Sequence, residues 1–391
     1  MNIAIFTDTY PPFINGVSTS CYNLALILKR NGHNVLVIAP RTDDGPFEFV
    51  DGVVRLPGVE MKKLYGYRLT KFFDHKVMKI VKEFKPDIIH NQTDSTIGFF
   101  AKIAAKQLKI PLIYTYHTSY EDYTYYAAQG LMERFAKKFV RAYSKGVAKN
   151  ADEFITPSEK TMEYMRDIGS DVYMNIIPTG IDFSLFKEDK IDKTCIEEFK
   201  VKYGITENTK VFLILGRVAK EKSMDISIRG YAKYKQKHPK ADTRLIVVGN
   251  GPQKAELEML ASELGVASST IFIGAVPASE VPFYYHLADI YTSASITETQ
   301  GLTFMEAMAA GDIVLARYDT NLSNTIVDGK TGFFFISEDN FVEKVETIFS
   351  LKEKELQNVK NNAYEIVDTY SIDKFYDNVM GVYKRAIRKY W

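Results

Sequence analysis

The sequence predicts an α/β protein of two doubly wound domains, on three observations. Its 391 residues exceed what one core usually supports, and 46% of them are hydrophobic. Short apolar runs rich in β-branched residues alternate with helix-length segments, the pattern of parallel sheet. That alternation restarts midway, after Pro178-Thr179-Gly180.

In the first half, residues 3–6, 35–39, 88–90, 112–116 and 153–156 read as strands. A charged, weakly apolar stretch at 187–193 suits a connection. In the second half, 211–215, 245–248, 270–273, 290–292 and 314–316 read as strands, again separated by helical patterns. Beyond Val327 the chain reads as mostly helical, and 372–391 as one amphipathic helix. No repeat or low-complexity tract interrupts it.

Composition excludes several classes. The longest apolar runs, such as 110–113 and 211–215, fall far short of the roughly 18 residues of a spanning helix. Met1 leads straight into a strand-like run without a basic and apolar leader, so a cytosolic chain without a secretory signal is expected. Cys21 and Cys195 lie far apart without ligand spacing, which argues against a disulfide framework or a zinc site. The net charge of +1 hides an asymmetry: residues 1–180 hold 23 Lys and Arg against 19 Asp and Glu. Eight basic residues between Lys62 and Lys85 face only Asp74 and Glu83, and a second basic run spans 134–149. These stretches suit an anionic partner, and nucleic acid is not expected to be it.

In open α/β sheets, ligands bind beyond the carboxyl ends of the strands, so the loops there carry the chemistry. The most specific segment is Ser293-Ala-Ser-Ile-Thr-Glu298-Thr-Gln300-Gly301-Leu302-Thr-Phe-Met-Glu306, running on to Gly311. Glu298 follows a strand, helix formers fill 302–310, and carboxylates are suited to accept hydrogen bonds from a ligand. Gly216-Arg217-Val-Ala-Lys-Glu221-Lys222 also follows a strand and brings two cations to the top of the second sheet. Gly249-Asn250-Gly251 follows the next one, with Lys254 where a third dinucleotide-binding glycine would stand, so it fails as a NAD fingerprint. Asn15-Gly16-Val17 opens a helix after the first strand, and Tyr116-His117-Thr-Ser-Tyr120-Glu121-Asp122-Tyr123 follows the fourth.

Together these segments, in order along nearly the whole chain, resemble glycosyltransferase family 4, retaining enzymes of the GT-B fold. The resemblance implies two Rossmann-like doubly wound domains facing across a cleft. Residues 1–182 with a returning helix, 372–391, would bind acceptor, and 183–371 would bind a nucleotide-sugar donor. It further implies Glu298 on donor-sugar hydroxyls and Glu306 on the ribose. Arg217 and Lys222 would clamp the diphosphate, and backbone N–H groups at Gly301 and Leu302, beside Gln300, would face it. Gly16, Gly249, Asn250 and Gly251 would line the donor site, and His117 would lie beside the reacting centre. Many family members have two glycines where Asn15-Gly16 stands, and proline where Asp312 stands, a change expected to affect only the turn.

The chain has no Asp-x-Asp, which fits a metal-independent mechanism in which fixed cations neutralise the leaving diphosphate. No tightly bound cofactor and no protein-ligated divalent metal are expected. His90-Asn-Gln-Thr93, the 116–123 segment and Thr297-Glu-Thr-Gln-Gly301 resemble bacterial diacylglycerol glucosyltransferases more closely than the family at large. That implies transfer of glucose from UDP-glucose to 1,2-diacylglycerol, with Asp8, Tyr120, Glu121 and Asp122 as acceptor-side candidates. Addition of a second sugar to a glycosylated lipid, a UDP-sugar epimerase and a non-catalytic carbohydrate-binding module stand as alternatives. A lipid acceptor implies a cytoplasmic enzyme, peripheral on the inner face of the plasma membrane. Lys62, Lys63, Tyr65, Arg68, Lys71 and Phe72 are the expected contact with an anionic surface, next to a helix beginning near Leu69.

Overall fold

The computed structural model describes residues 1–13, 15–61, 67–117, 141–142, 144–146, 148–296, 298 and 300–390. The chain forms two compact units, Met1–Gly180 with Ile372–Trp391, and Ile181–Ser371.

The first unit carries β1 (Asn2–Phe6), β2 (Asn34–Pro40), β3 (Glu48–Val50), β4 (Val53–Leu56), β5 (Val59–Met61), β6 (Tyr67–Leu69), β7 (Ile88–Asn91), β8 (Leu112–Thr115), β9 (Glu153–Thr156) and β10 (Met174–Ile176). β5 and β6 pair with each other, and the rest form one sheet in the order β10-β9-β8-β7-β1-β2-β4-β3. Only β3 on β4 is antiparallel in that sheet. Its helices include α1 (Gly16–Arg30), α2 (His75–Phe84), α3 (Thr96–Leu108) and α4 (Glu159–Asp167). Because successive strand residues face opposite sides, β1 serves two cores at once. Ile3 and Ile5 pack with Leu24 and Leu28 of α1, whereas Ala4 and Phe6 pack with Val77 and Val81 of α2 and Phe100 of α3. Chain order reverses at the centre of the sheet, so the switch point lies between β1 and β7.

The second unit holds α5 (Lys193–Tyr203), β11 (Lys210–Leu215), α6 (Met224–Lys237), β12 (Thr243–Val248), α7 (Lys254–Glu263), β13 (Thr270–Gly274), α8 (Val281–Tyr285), β14 (Ile290–Ser293), α9 (Leu302–Ala310), β15 (Ile313–Arg317), β16 (Phe333–Phe335), α10 (Glu338–Ser350) and α11 (Glu353–Asp368). Its all-parallel order β13-β12-β11-β14-β15-β16 is that of a Rossmann fold, with the switch point between β11 and β14. β11 again feeds two layers: Phe212 and Ile214 meet α6 and α10, and Val211 and Leu213 meet α8 and α9.

The last helix, α12 (Ile372–Tyr390), belongs to the first unit. Phe375, Val379, Val382 and Tyr383 are buried beside Ile5 and Val37. Each such side chain contributes roughly 1.5–3 kcal/mol on leaving water. Lys389 Nζ bonds the buried Glu153 of β9 at 2.6 Å, and Tyr383 Oη lies 2.6 Å from His90 Nδ1.

Several elements differ from the sequence expectation. β3 to β6, β10 and β16 are strands of three or four residues, too short to display a period. The helix expected near Leu69 starts at His75, because the Asp74 carboxylate caps it, accepting from Lys76 N at 2.8 Å and Val77 N at 3.2 Å. Leu69 instead pairs with Val59. Asn15, standing in place of a glycine, has extended backbone (φ −163°) and caps α1 by accepting from Ser18 N at 2.7 Å. Asp312 does more than shape a turn. Its carboxyl is buried with Oδ2 unpartnered, and burial pushes its pKa well above the usual range.

Candidate functional site

Apart from Gly16, which opens α1 in the first unit, and Leu302 and Glu306, which lie on α9, the predicted donor residues sit on three loops of the second unit, each at the carboxyl end of a strand. After β11 come Gly216 and Arg217, with Lys222 five residues on. After β12 comes the Gly249–Gly251 turn, and after β14 the loop ending at Gly301. The two glycines of the middle loop are there for close approach. A Cβ on Gly249 or Gly251 would collide with the carbonyl oxygens of Gly216 and Val218, and the pairing is sealed by Val218 N donating to Asn250 O at 3.0 Å. Asn250 turns its own side chain back, accepting from Gly251 N at 2.9 Å.

At the switch point, Lys222 Nζ contacts Glu298 Oε1 at 2.6 Å, joining loops 76 residues apart in sequence. The pair is half-shielded, with side chains 28% and 13% exposed. Arg217 Nη2 contacts Glu221 Oε1 at 2.6 Å, within its own loop. Beside them Gly301 adopts φ +72° and precedes α9, whose amino end has no side-chain cap. Backbone N–H groups there suit an anion. Gln300 Nε2 reaches Met305 Sδ at 3.9 Å. One turn into α9, Glu306 accepts from Tyr285 Oη at 2.9 Å, and that hydroxyl also lies 3.1 Å from Thr303 O. Burial pushes the Glu306 carboxyl up to about 7, against the lowering effect of the Tyr285 hydrogen bond.

In the first unit, Asp8 follows β1 at the switch point and accepts from the Thr93 and Ser95 hydroxyls that follow β7. Burial raises its pKa to about 6 despite both bonds. Asp94, which accepts from Tyr114 Oη, is raised to about 7 by burial first, with Asp8 adding to it. His117, two residues beyond β8, meets Gln92 Oε1 through Nε2 at 2.5 Å, and burial lowers its pKa to about 4, so the ring is neutral at pH 7. His90 is neutral as well, lowered to about 3 by burial, with its second ring nitrogen 2.7 Å from Thr115 Oγ1.

Tyr120, Glu121 and Asp122 lie outside the described residues, as do Lys62, Lys63 and Tyr65. Arg68 is not a surface contact. It is 8% exposed and binds Asp44 and, at 3.1 Å, Gly58 O, because β6 turns it inward. Lys71 and Phe72 are exposed. Phe72 stacks edge-on against Phe99 with ring centroids 5.8 Å apart, and Lys102 Nζ lies 5.6 Å from the Phe99 ring. Sequence reasoning missed Tyr285 and Glu221 as partners of the site, and assigned Gln92, Thr93 and Ser95 no role. Tyr285 sits on a five-residue helix with no motif of its own, so only contact reveals it.

Residues 14–185 match the family model "Glycosyltransferase Family 4" and residues 196–366 "Glycosyl transferases group 1". The alpha-monoglucosyldiacylglycerol synthase of Acholeplasma laidlawii is 35% identical over 88% of this chain and 87% of its own length. That of Streptococcus pneumoniae strain R6 is 33% identical over 99% and 86%. Among solved structures, sucrose-phosphate synthase from Thermosynechococcus elongatus superposes with a TM-score of 0.77 at 18% identity, covering 99% of both chains. Anabaena HepE gives 0.75 at 18% identity, covering 98% and 99%.

Proposed function

The chain belongs to glycosyltransferase family 4 and has its two Rossmann-like units, and from that premise we propose that it transfers glucose, with retention, from UDP-glucose to the free hydroxyl of 1,2-diacylglycerol. The acceptor reading is supported by relatives named alpha-monoglucosyldiacylglycerol synthases at 33–35% identity over most of the chain. One observation carries the chemistry: Lys222 and Glu298, a cation for phosphate and a carboxylate for sugar hydroxyls, touch at the switch point of a Rossmann sheet.

In this reading Arg217 and Lys222 hold the diphosphate and neutralise the charge that builds as the sugar leaves. Glu298 orients the glucose, Glu306 accepts from the ribose hydroxyls, and the N–H groups at Gly301 and Leu302 assist at the phosphate. His117 is assigned to the reacting centre and Asp8 to the acceptor hydroxyl. Displacement on one face, with the departing phosphate taking the acceptor proton, requires no carboxylate nucleophile and no protein-ligated metal. A panel of radiolabelled nucleotide sugars and lipids, with mass spectrometry of the product, tests this. Absence of a glycolipid from every donor refutes it, and an epimerised sugar formed without acceptor points instead to an isomerase.

The lipid reaches the enzyme at an anionic membrane surface. Among the described residues, no helix is long and apolar enough to cross a membrane. The exposed Phe72 and Phe99 rings, with Lys71 and Lys102 near them, offer apolar anchors among cations. Each cation adds about 1 kcal/mol near a charged surface. Co-sedimentation with phosphatidylglycerol vesicles should fall at high salt and in Phe72→Ser/Phe99→Ser, and binding indifferent to both excludes this face.

A further inference from the structure

His90 and Gln92 stand two residues apart at the end of β7, and Thr115 and His117 two apart at the end of β8, so the four side chains share one face of the sheet. That is the face on which α12 packs. The four make two neighbouring rungs: His90 Nε2 lies 2.7 Å from Thr115 Oγ1, and His117 Nε2 lies 2.5 Å from Gln92 Oε1. From α12, Tyr383 Oη comes within 2.6 Å of His90 Nδ1. Resting on the reading that puts His117 at the reacting centre, the structure assigns to Tyr383 the part of a positioning residue: through His90, Thr115 and one buried water it fixes which nitrogen His117 offers to a ligand.

The order of protons along this chain follows from its buried end. Tyr383 is fully buried and, among the described residues, its hydroxyl bonds His90 alone. Its proton therefore goes to His90 Nδ1, since otherwise a buried O–H would have no acceptor. His90, a neutral ring, then carries its own proton on Nε2 and donates to Thr115 Oγ1. That leaves the Thr115 hydroxyl proton to place. Thr115 borders a cavity of about 10 Å³ together with Ser20, His90, Gln92, His117 and Thr179, which suits one water. Ser20 Oγ accepts from Thr179 Oγ1 at 2.9 Å, so the Ser20 proton is directed to the same place. A water there accepts from Thr115 and Ser20 and donates to Gln92 Oε1, whose other lone pair takes the proton of His117 Nε2. With the amide oxygen held inward, His117 is protonated on Nε2 and offers Nδ1 as an acceptor.

A second tyrosine on the same helix supplies a control. Tyr376 Oη lies 2.9 Å from His33 Nε2, a contact of the same kind that belongs to no chain leading to His117.

The test is nitrogen NMR of the whole protein labelled at its six histidines, with His117 assigned by its loss in His117→Ala, alongside turnover of UDP-glucose and dispersed 1,2-diacylglycerol. In the wild type near neutral pH, His90 and His117 should each show a protonated Nε2 and a bare Nδ1. Tyr383→Phe and Thr115→Val keep the shape and cut the chain at two different links. Either should turn the His117 signals into a mixture of tautomers and lower kcat and kcat/KM together by about tenfold, the scale of a group misplaced rather than removed. The double variant should lose no more than either alone, because a chain already cut transmits nothing further. Tyr376→Phe should keep the wild-type tautomer and turnover. A wild-type His117 protonated on Nδ1, an unmoved tautomer in whichever of the two variants folds, or an equal loss in Tyr376→Phe overturns the role of Tyr383. Wild-type turnover in His117→Ala overturns instead the placing of His117 at the reacting centre, while the tautomers still decide the chain.

Discussion

Removing the hydroxyl of Tyr285 isolates the ionisation of Glu306, the carboxylate assigned to the ribose. Its pKa is pushed up to about 7 by burial, and the Tyr285 hydroxyl at 2.9 Å is the contact that pulls it down. A hydrogen bond to a charged group stabilises it by about 1.5–3 kcal/mol, so Tyr285→Phe should raise that pKa by one unit or more. Ribose hydroxyls donate to the ionised form, so donor affinity must rise with pH as Glu306 loses its proton. At pH 7 the wild-type carboxyl is about half ionised and the variant about one-tenth ionised, which predicts a roughly fivefold higher donor Michaelis constant, shrinking as pH approaches about 9. Turnover at saturating donor should change little, because the lost contact is made equally in ground and transition states. The assay is the donor Michaelis constant from about pH 6 to 9 in both proteins. A Tyr285→Phe curve that superposes on the wild type, or a constant that ignores pH in both, would refute the ribose assignment and the titration behind it.

Other outcomes are equally specific. Lys222→Ala or Arg217→Ala should lower turnover by about two to three orders of magnitude, the usual loss on removing one preorganised charge stabiliser, and unchanged turnover removes that residue from the phosphate site. Gln92→Glu places a carboxylate against His117 Nε2, so the imidazole pKa should rise from about 4 and the acid limb of the kcat/KM profile should move toward neutrality. An unmoved limb means that protonation of His117 does not enter the rate. Asp312 has a folded pKa above its unfolded one, so its burial is tolerated while it is protonated and costs stability as pH rises. Asp312→Asn should therefore raise the melting temperature at pH 8 by more than at pH 4, and an equal shift at both pH values contradicts that account.

What the sequence determined by itself was the class of the longer elements and which loops carry charged and glycine-rich segments. Alternating runs of three to five mostly apolar residues announced the central parallel strands, since a strand buried on both faces is largely apolar throughout. The spacing of Glu298, Gly301 and Glu306, and the cations Arg217 and Lys222 after a strand, were legible for the same local reason: helix starts and strand ends have sequence signatures. What only the tertiary structure decided was partnership. That Lys222 meets Glu298, that Tyr285 holds Glu306 and that Gln92 holds His117 depends on strand order, which within each unit brings segments from distant positions side by side. Exposure was decided there as well. Arg68 reads as a surface cation in a basic run, yet the short β5–β6 pair turns it inward, and Asp312 reads as a turn residue yet is sealed from water. A local sequence carries propensity and period, but burial and counter-charge are properties of what the chain brings alongside from elsewhere, and these set which groups are ionised and which are available to a ligand.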